Sequence, residues 1–285
     1  MKLQVYVPGN ETQLLRFLSV RKEKAAIIAG GTHLVPFIRM EKPSFSWLAD
    51  VSHLSNLRYV RRRKDQWQIG ALTRICDLNY PALTKAGYIV FAQVAGNFGG
   101  TAIANMATVG GNVAVAATTS DLLPVLLSVD ANVSLKSYRK ERELKIESLL
   151  AGEGRRPDEF IASVNFRVPG ERRISLFRKI GRRNASFLAL LSVAIFLAYD
   201  RKQTITQAGV GFNEIKSHTP GRARNVEGYL QGKVLSKSVI EDAVDRLKLD
   251  APTAPSSEVP AEYWALASRN LLREQLELCV GKMRG

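Results

Sequence analysis

The hydrophobic pattern of residues 1–57 predicts a small α/β unit. Asn10 can cap a helix whose apolar residues fall on one side, and the apolar run AAIIA at 25–29 is typical of a strand buried on both faces. This run ends at Gly30-Gly31, where a helical turn begins, and WLADV at 47–51 indicates a second parallel strand. A strand, a Gly-Gly turn and a helix start are the parts of an anion site made of backbone N–H groups.

From residue 58 to about 170 the pattern favours an α+β unit with an antiparallel sheet. The basic stretches at 58–64 and 139–142 are interpreted as turns between strands, and Thr73 as the cap of a short helix. Strand patterns occur at 67–71, 131–136 and 160–169.

The last third of the chain predicts a further α+β unit, with strands at 175–180 and 204–212. The apolar run at 187–199 is interpreted as a buried helix, because its length of about a dozen residues is below the roughly 20 that a membrane span needs. Helical spacing recurs at 239–247 and 263–280, with a proline-containing loop at 251–260 between them.

One stretch of small residues stands out at 98–124, FGGTAIANMATVGGNVAVAATTSDLLP, in which Asp121 is the one ionisable side chain. Its two Gly-Gly pairs prevent a continuous helix, and its side chains lack the bulk of an ordinary core strand. Small residues in series allow the backbone to approach a ligand closely, and bare N–H groups suit a phosphate. We therefore expect a buried cofactor against this stretch, with residues 108–111 at its phosphates.

Composition limits the classes of protein that need to be considered. A chain of 285 residues with 46% hydrophobic and 24% charged residues is typical of a soluble globular protein of two or three domains. Cys76 and Cys279 are too few for an iron–sulfur cluster or a structural zinc site, and free thiols favour a cytoplasmic location. The N-terminus lacks the apolar region of a signal peptide.

The net charge of +15 is compatible with binding to nucleic acid, to acidic partners or to an anionic cofactor, and also with a surface that is simply rich in Lys and Arg. No nucleic-acid motif accompanies the basic clusters. His33, His53 and His218 have no spacing typical of metal ligands, and no catalytic triad or carboxylate pair is recognisable. We therefore predict neither a metal site nor a catalytic acid or base on this chain.

Three motifs in order, AGGTHLVPFIRM at 29–40, TVGGNVAVAATTSDLLPVLLSVDA at 108–131 and FRKIGRRNA at 177–185, carry a resemblance that covers nearly the whole chain. Together they resemble the FAD-binding medium subunit of the molybdenum hydroxylases, the family of carbon-monoxide dehydrogenase, xanthine dehydrogenase and aldehyde oxidoreductase. The resemblance implies an α+β fold. A two-part FAD-binding domain at 1–170, with subdomains at about 1–57 and 58–170, is followed by a sheet-plus-helices domain at 171–285.

The resemblance also implies two pyrophosphate loops, whose N–H groups would neutralise the phosphate charge. The first consists of Ile27, Ile28, Ala29, Gly30, Gly31, Thr32, His33 and Leu34, and the second of Thr108, Val109, Gly110, Gly111 and Asn112.

The resemblance also implies cofactor contacts for five further residues. Asp121 corresponds to a carboxylate on the ribose of the adenosine half, and Phe98 to an aromatic residue packed near the flavin. Lys179 corresponds to a lysine near the flavin ring, where a cation favours the anionic reduced form. Phe187 corresponds to the residue that covers the other face of the ring, and Ile161 to one that closes the site.

Other roles remain open for several of these residues. Asp121 can cap the following helix, Lys179 can be a surface charge, and Phe98 and Phe187 can belong to the core. Ser186 stands where relatives often have an acidic residue, and the sequence TTSD at 118–121 replaces the commoner SPxSD.

By analogy with the family, this chain is an oxidoreductase subunit that carries FAD. It would accept electrons from [2Fe–2S] clusters on a small subunit, supplied by a molybdopterin-binding large subunit, and pass them to an external acceptor in a dimer of heterotrimers. Two alternatives are a stand-alone flavin oxidoreductase of the same fold and a basic nucleic-acid-binding protein without flavin.

Overall fold

The structure is a computed structural model that describes residues 3–168, 172–181, 188–216, 219–251 and 260–284. Phe187, Ser186, the 170/171 boundary and most of the predicted loop at 251–260 lie outside the described residues. Within the described ranges, no helix is both long and apolar enough to cross a membrane.

The first unit is a three-stranded parallel sheet in the order β1-β3-β2. Its elements are β1 (Gln4–Tyr6), α1 (Glu11–Arg21), β2 (Ala25–Ile28), α2 (Leu34–Met40) and β3 (Trp47–Asp50). Asn10 caps α1 as predicted, with its side chain accepting from the Gln13 N–H at 3.0 Å. The prediction that the strand at 25–29 is buried on both faces is wrong, because β2 is an edge strand and its residues are half-buried.

The middle unit contains the predicted antiparallel sheet, in the order β4-β5-β8-β6-β7. Its first elements are β4 (Val60–Arg63), β5 (Gln66–Gly70), α3 (Pro81–Lys85), α4 (Ile89–Asn97), α5 (Thr101–Ala104) and α6 (Val109–Val115). These are followed by α7 (Leu122–Ser128), β6 (Asn132–Lys136), β7 (Glu141–Lys145), α8 (Ile146–Leu150) and β8 (Phe160–Arg167).

Two local predictions for this unit are wrong. Arg61, Arg62 and Arg63 lie in β4 rather than in a turn, because their backbone pairs with β5, and the chain reverses at Lys64, whose φ is 52°. Thr73 does not cap a helix. Its hydroxyl accepts from the Tyr59 N–H and donates to the Tyr59 carbonyl, at 3.1 and 2.9 Å.

The C-terminal unit is a four-stranded antiparallel sheet in the order β12-β11-β10-β9, covered by helices. Its elements are β9 (Arg172–Gly181), β10 (Ala189–Tyr199), β11 (Ile205–Lys216), β12 (Thr219–Arg222), α9 (Arg224–Leu230), α10 (Lys237–Asp250) and α11 (Ala261–Arg284). The helices predicted at 239–247 and 263–280 are confirmed within α10 and α11.

The helix predicted at 187–199 is wrong, because the described part of this run is strand β10. The strand is buried on both faces. Ala194, Phe196 and Ala198 join the core of the middle unit, whereas the alternate residues Val193, Ile195 and Leu197 join a core with the C-terminal helices. Burial on both faces removes the polar alternation of an ordinary strand and produces a continuous apolar run.

Two glycines of β11 allow α7 to pack directly on the sheet. A Cβ on Gly209 would lie 1.8 Å from the Ser128 carbonyl oxygen, and one on Gly211 would lie 2.2 Å from the Pro124 carbonyl oxygen. Their neighbours Val210 and Phe212 point to the other core. The glycines of the AGVGF sequence therefore set the distance between the middle and C-terminal units.

We expect Gly209→Ala to lower the free energy of unfolding by about 1–3 kcal/mol, because the methyl group overpacks against the α7 backbone. Gly228→Ala is the matched control: it lies inside α9, has no atom within 4 Å of its added Cβ, and should be neutral or stabilising by about 0.5–1 kcal/mol. Urea denaturation measures both. Equal stabilities for the two variants would contradict the proposed close contact.

Candidate functional site

The first glycine-rich loop joins β2 to α2 through residues 29–33. Gly31 has a φ of +69°, a left-handed conformation that glycine adopts without strain. In the described chain, the backbone N–H groups of residues 30–34 have no acceptor. The loop thus presents unused donors in series, an arrangement suited to an anion such as a phosphate.

The second glycine-rich segment begins at Thr108, which caps α6 by accepting from the Gly111 N–H at 3.1 Å. The expectation of bare glycine N–H groups in this segment is wrong, because they complete the cap and bind the segment to residues 71–73. The remaining bonds are Val109 N–H to the Thr73 carbonyl at 2.9 Å, Gly110 N–H to the Ala71 carbonyl at 2.8 Å, and Asn112 N–H to the Thr108 carbonyl at 2.9 Å. The Thr108 N–H itself has no acceptor among the described residues.

The two segments meet through their backbones. A Cβ on Gly30 would lie 1.8 Å from the Met106 carbonyl oxygen, two residues before Thr108. On the opposite side, a Cβ on Gly110 would lie 2.7 Å from the Ala71 Cβ. Glycine at these two positions is therefore required by close approach, and the fold brings both predicted loops to one place.

Asp121 and Lys179 form a buried ion pair next to the second segment. The Lys179 ammonium lies 2.6 Å from Asp121 Oδ2 and donates a second hydrogen bond of 3.0 Å to the Asn97 carbonyl at the end of α4. The two side chains are only 1% and 6% exposed, so Lys179 is not a surface charge. Asp121 occupies the N-cap position of α7, but its side chain makes no capping bond.

Burial raises the pKa of Asp121 to about 6, and the Lys179 cation acts in the opposite direction. Removing a carboxylate from water penalises its charged form, whereas a neighbouring ammonium stabilises that form. The Asp121 carboxylate therefore becomes protonated, and neutral, as the pH falls below about 6.

Two buried acceptors at this place have no hydrogen-bond donor in the described chain: Asp121 Oδ1 and the side-chain oxygen of Asn112. Orphaned buried acceptors are rare because each loses its hydration without compensation. Hydroxyl groups of a ligand would satisfy them. The site thus combines free N–H donors for a phosphate with free oxygens for hydroxyl groups.

The other predicted contacts are distributed around this centre. Phe98 directly follows α4 and packs, half-buried, against the middle core. Ile161 lies in β8 and belongs to the same core. Phe187 lies outside the described residues, so its predicted role remains a prediction.

Two residues at the site were missed by the sequence analysis. Asn97 contributes only its carbonyl oxygen, for which a side chain gives no signal. Asn213 on β11 donates from Nδ2 to the Thr118 carbonyl at 3.0 Å and accepts from the Ser192 N–H at 2.6 Å. A polar Asn-Glu pair directly after the apolar stretch of that strand was the available signal.

Comparison with known families decides the nature of the site. The family described as "FAD binding domain in molybdopterin dehydrogenase" matches residues 1–169. The family described as "CO dehydrogenase flavoprotein C-terminal domain" matches residues 175–278. This chain belongs to the FAD-binding medium subunits of the molybdenum hydroxylases. As a member, this medium subunit is an oxidoreductase flavoprotein subunit whose cofactor is FAD.

Similar proteins include dehydrogenase subunits from bacteria. The medium subunit is 28% identical over 280 residues to the 6-hydroxypseudooxynicotine dehydrogenase complex subunit alpha of Paenarthrobacter nicotinovorans, covering 95% of this chain and 92% of that protein. It is 28% identical over 224 residues to the nicotinate dehydrogenase FAD-subunit of Eubacterium barkeri, covering 76% and 75%. The carbon monoxide dehydrogenase of Hydrogenophaga pseudoflava has the same fold, with a TM-score of 0.86, 19% identity and 96% of each chain covered.

The geometry of the medium subunit fits FAD. A pyrophosphate would offer acceptors to the free N–H groups of residues 30–34, and ribose or ribityl hydroxyls would donate to the orphaned oxygens of Asn112 and Asp121. The close approach of Gly30 to the Met106 carbonyl brings the first loop to the segment that carries Asn112.

We expect Gly30→Ala to weaken FAD binding, because its methyl group would push the first loop away from Met106. If the overpacking cost of about 1–3 kcal/mol falls on the FAD-bound state, it raises the dissociation constant about 5- to 150-fold. Gly96→Ala in α4, where an added Cβ meets nothing within 4 Å, should bind FAD like the parent protein. Titration of FAD-free protein with FAD, followed by flavin fluorescence, compares them; equal affinities would contradict this role of Gly30.

Proposed function

We propose that this medium subunit is the electron-transfer component of a heteromeric molybdopterin enzyme. In this proposal, two electrons leave reduced [2Fe–2S] clusters on a small partner subunit, pass through the FAD bound here, and reduce an external acceptor. A molybdopterin-binding large subunit supplies the electrons by oxidising its substrate. The observation that supports FAD as the carrier in this proposal is the junction of two glycine-rich segments, together with the orphaned buried oxygens of Asn112 and Asp121.

The proposed residue roles follow from the free groups at the site. The loop at residues 27–34 holds the pyrophosphate through its N–H groups, and the segment at 108–112 contributes the Thr108 N–H and the Asn112 side chain. Asp121 accepts from a ribose hydroxyl through Oδ1. Phe98, Ile161 and Phe187 form the apolar surroundings of the flavin.

Bound FAD supplies the redox chemistry, since a flavin accepts electrons from one carrier and donates them to another. The chain needs no catalytic acid or base for this function. Its residues bind the cofactor and keep it oriented. The domain boundary near residue 170 separates the proposed FAD-binding domain from the C-terminal domain, and the cytoplasm, with its reducing conditions, is the proposed location.

The first test is the visible absorption spectrum of gently purified protein, followed by acid release of the chromophore. We expect the two-band spectrum of an oxidised flavin and one FAD released per chain. A colourless protein that also fails to take up added FAD would overturn the proposal. A flavoprotein that catalyses substrate oxidation without any partner would instead favour the stand-alone oxidoreductase.

Assembly with partners gives a second test. The net charge of +15, with Arg61, Arg62 and Arg63 exposed on edge strand β4, predicts acidic contact surfaces on the partner subunits. We expect association with the co-expressed small subunit to weaken as ionic strength rises, because salt screens exposed charges beyond about 10 Å at 0.1 M. Association that is indifferent to salt would count against a charge-driven interface.

A further inference from the structure

The ammonium group of Lys179 connects the two ends of the small-residue segment at 98–120. The segment begins directly after Asn97, whose carbonyl accepts a hydrogen bond of 3.0 Å from Lys179 Nζ. It ends directly before Asp121, whose Oδ2 lies 2.6 Å from the same Nζ. Lys179 itself belongs to β9 of the C-terminal unit, outside the matched FAD-binding family region at 1–169. A side chain of the second domain therefore holds both borders of the segment that carries Thr108 and Asn112.

The pair also fixes which Asp121 oxygen is available. Oδ2 is engaged by Lys179, whereas Oδ1 is buried and has no donor in the described chain. A carboxylate has a fixed geometry, so an ion pair on one oxygen determines the direction of the other. The fixed direction matters because Asp121 makes no capping bond with α7 that would orient it instead.

We propose that Lys179 is a positioning residue for the adenosine half of FAD: by binding Asp121 and the end of α4, it presents Asp121 Oδ1 to a ribose hydroxyl. This inference rests on the proposed function and differs from the role that the resemblance implies for Lys179, a contact with the flavin ring. The ammonium is 1% exposed and binds Asp121 and the Asn97 carbonyl, so it is covered by the protein itself.

The pH dependence of the pair is set by the groups that face Asp121. From the described elements packed around Asp121, Lys179 of β9 is the one charged group that acts on its pKa. Asn97 of α4 presents a carbonyl, and Asn213 of β11 presents its amide to the neighbouring Thr118 carbonyl. The decrease of FAD affinity at acidic pH therefore reports the protonation of Asp121 in this pair.

The experiment uses FAD-free full-length protein and two probes, FAD and ADP, because ADP contains the adenosine ribose and lacks the flavin. We expect Lys179→Met to weaken both FAD and ADP binding by about tenfold, the factor that a loss of about 1.4 kcal/mol produces. The reduction potential and visible spectrum of bound FAD should stay unchanged. If Lys179 contacts the flavin ring, ADP binding stays unchanged while the potential and the spectrum shift, and the inference is overturned.

The pH dependence adds a readout that a merely structural role would not move. In the parent protein, FAD affinity should fall as the pH decreases through about 6, because the Asp121 carboxylate is protonated there. In Lys179→Met the fall should begin at higher pH, because the cation that lowers the pKa of Asp121 is gone while burial still raises it. An unchanged pH profile would overturn the inference.

Three further proteins complete the design. Lys145→Met removes the cation of another Lys–Asp pair, with Asp130 at 2.5 Å on the surface, and should leave FAD and ADP binding unchanged. Asp121→Asn should weaken both ligands, and the double variant Asp121→Asn/Lys179→Met should bind no more weakly than the single variants, because both act through one contact. Additive losses would contradict the inference.

The outcomes for the two proposals are separable. A parent protein that takes up no FAD overturns the proposed function and this inference together. A parent protein that binds FAD, with a Lys179→Met variant that binds FAD and ADP equally well, overturns only the inference. If Lys179→Met is too unstable to isolate, Asp121→Asn still tests the inference, because ADP binding equal to that of the parent protein would show that Asp121 makes no ribose contact for Lys179 to position.

Discussion

The site depends on how closely α7 packs against the C-terminal sheet. Gly209 and Gly211 leave room for the helix backbone, and a basic side chain from the sheet binds an acid at each end of the helix. Lys179 binds Asp121 directly before α7, and Arg222 lies 2.7 Å from Asp130 shortly after it. The helix is thereby fixed along its length as well as in depth, and the position of Asp121 follows.

Both of these ion pairs bury charged groups, which costs desolvation free energy. The Arg222 side chain is 4% exposed and also binds Glu227 at 2.8 Å, so its charge is shared between two carboxylates. Loss of one partner from such a pair leaves an uncompensated charge in the interior. For Asp121 and Lys179 the desolvation is incompletely offset, as the raised pKa of Asp121 shows. A cofactor hydroxyl at the orphaned oxygen would complete this arrangement.

Some elements could be predicted from a local pattern, such as the Asn10 cap and the amphipathic α10, whereas the equally local prediction of a cap at Thr73 was wrong. The sequence was misleading for β10, because a strand between two cores and a buried helix share the same apolar composition. The loops around Gly30 and Thr108 were recognisable from their motifs. Which N–H groups remain free was not, since that depends on carbonyls of residues 71–73, brought close only by folding. The ion pair between Lys179 and Asp121 was not predictable either, because the two residues are brought together only by folding.

The core of the first unit includes Leu14 and Leu18 of α1, together with Phe160 and Ala162 of β8. A nascent chain that has exposed only the parallel strands therefore lacks the residues that cover them. At a synthesis rate of about 5–20 residues per second, β8 leaves the ribosome several seconds after β3. During that interval the first unit has an incomplete interior. The N-terminal fifth of the chain therefore cannot complete its native packing until β8 has been synthesised, although it is made first.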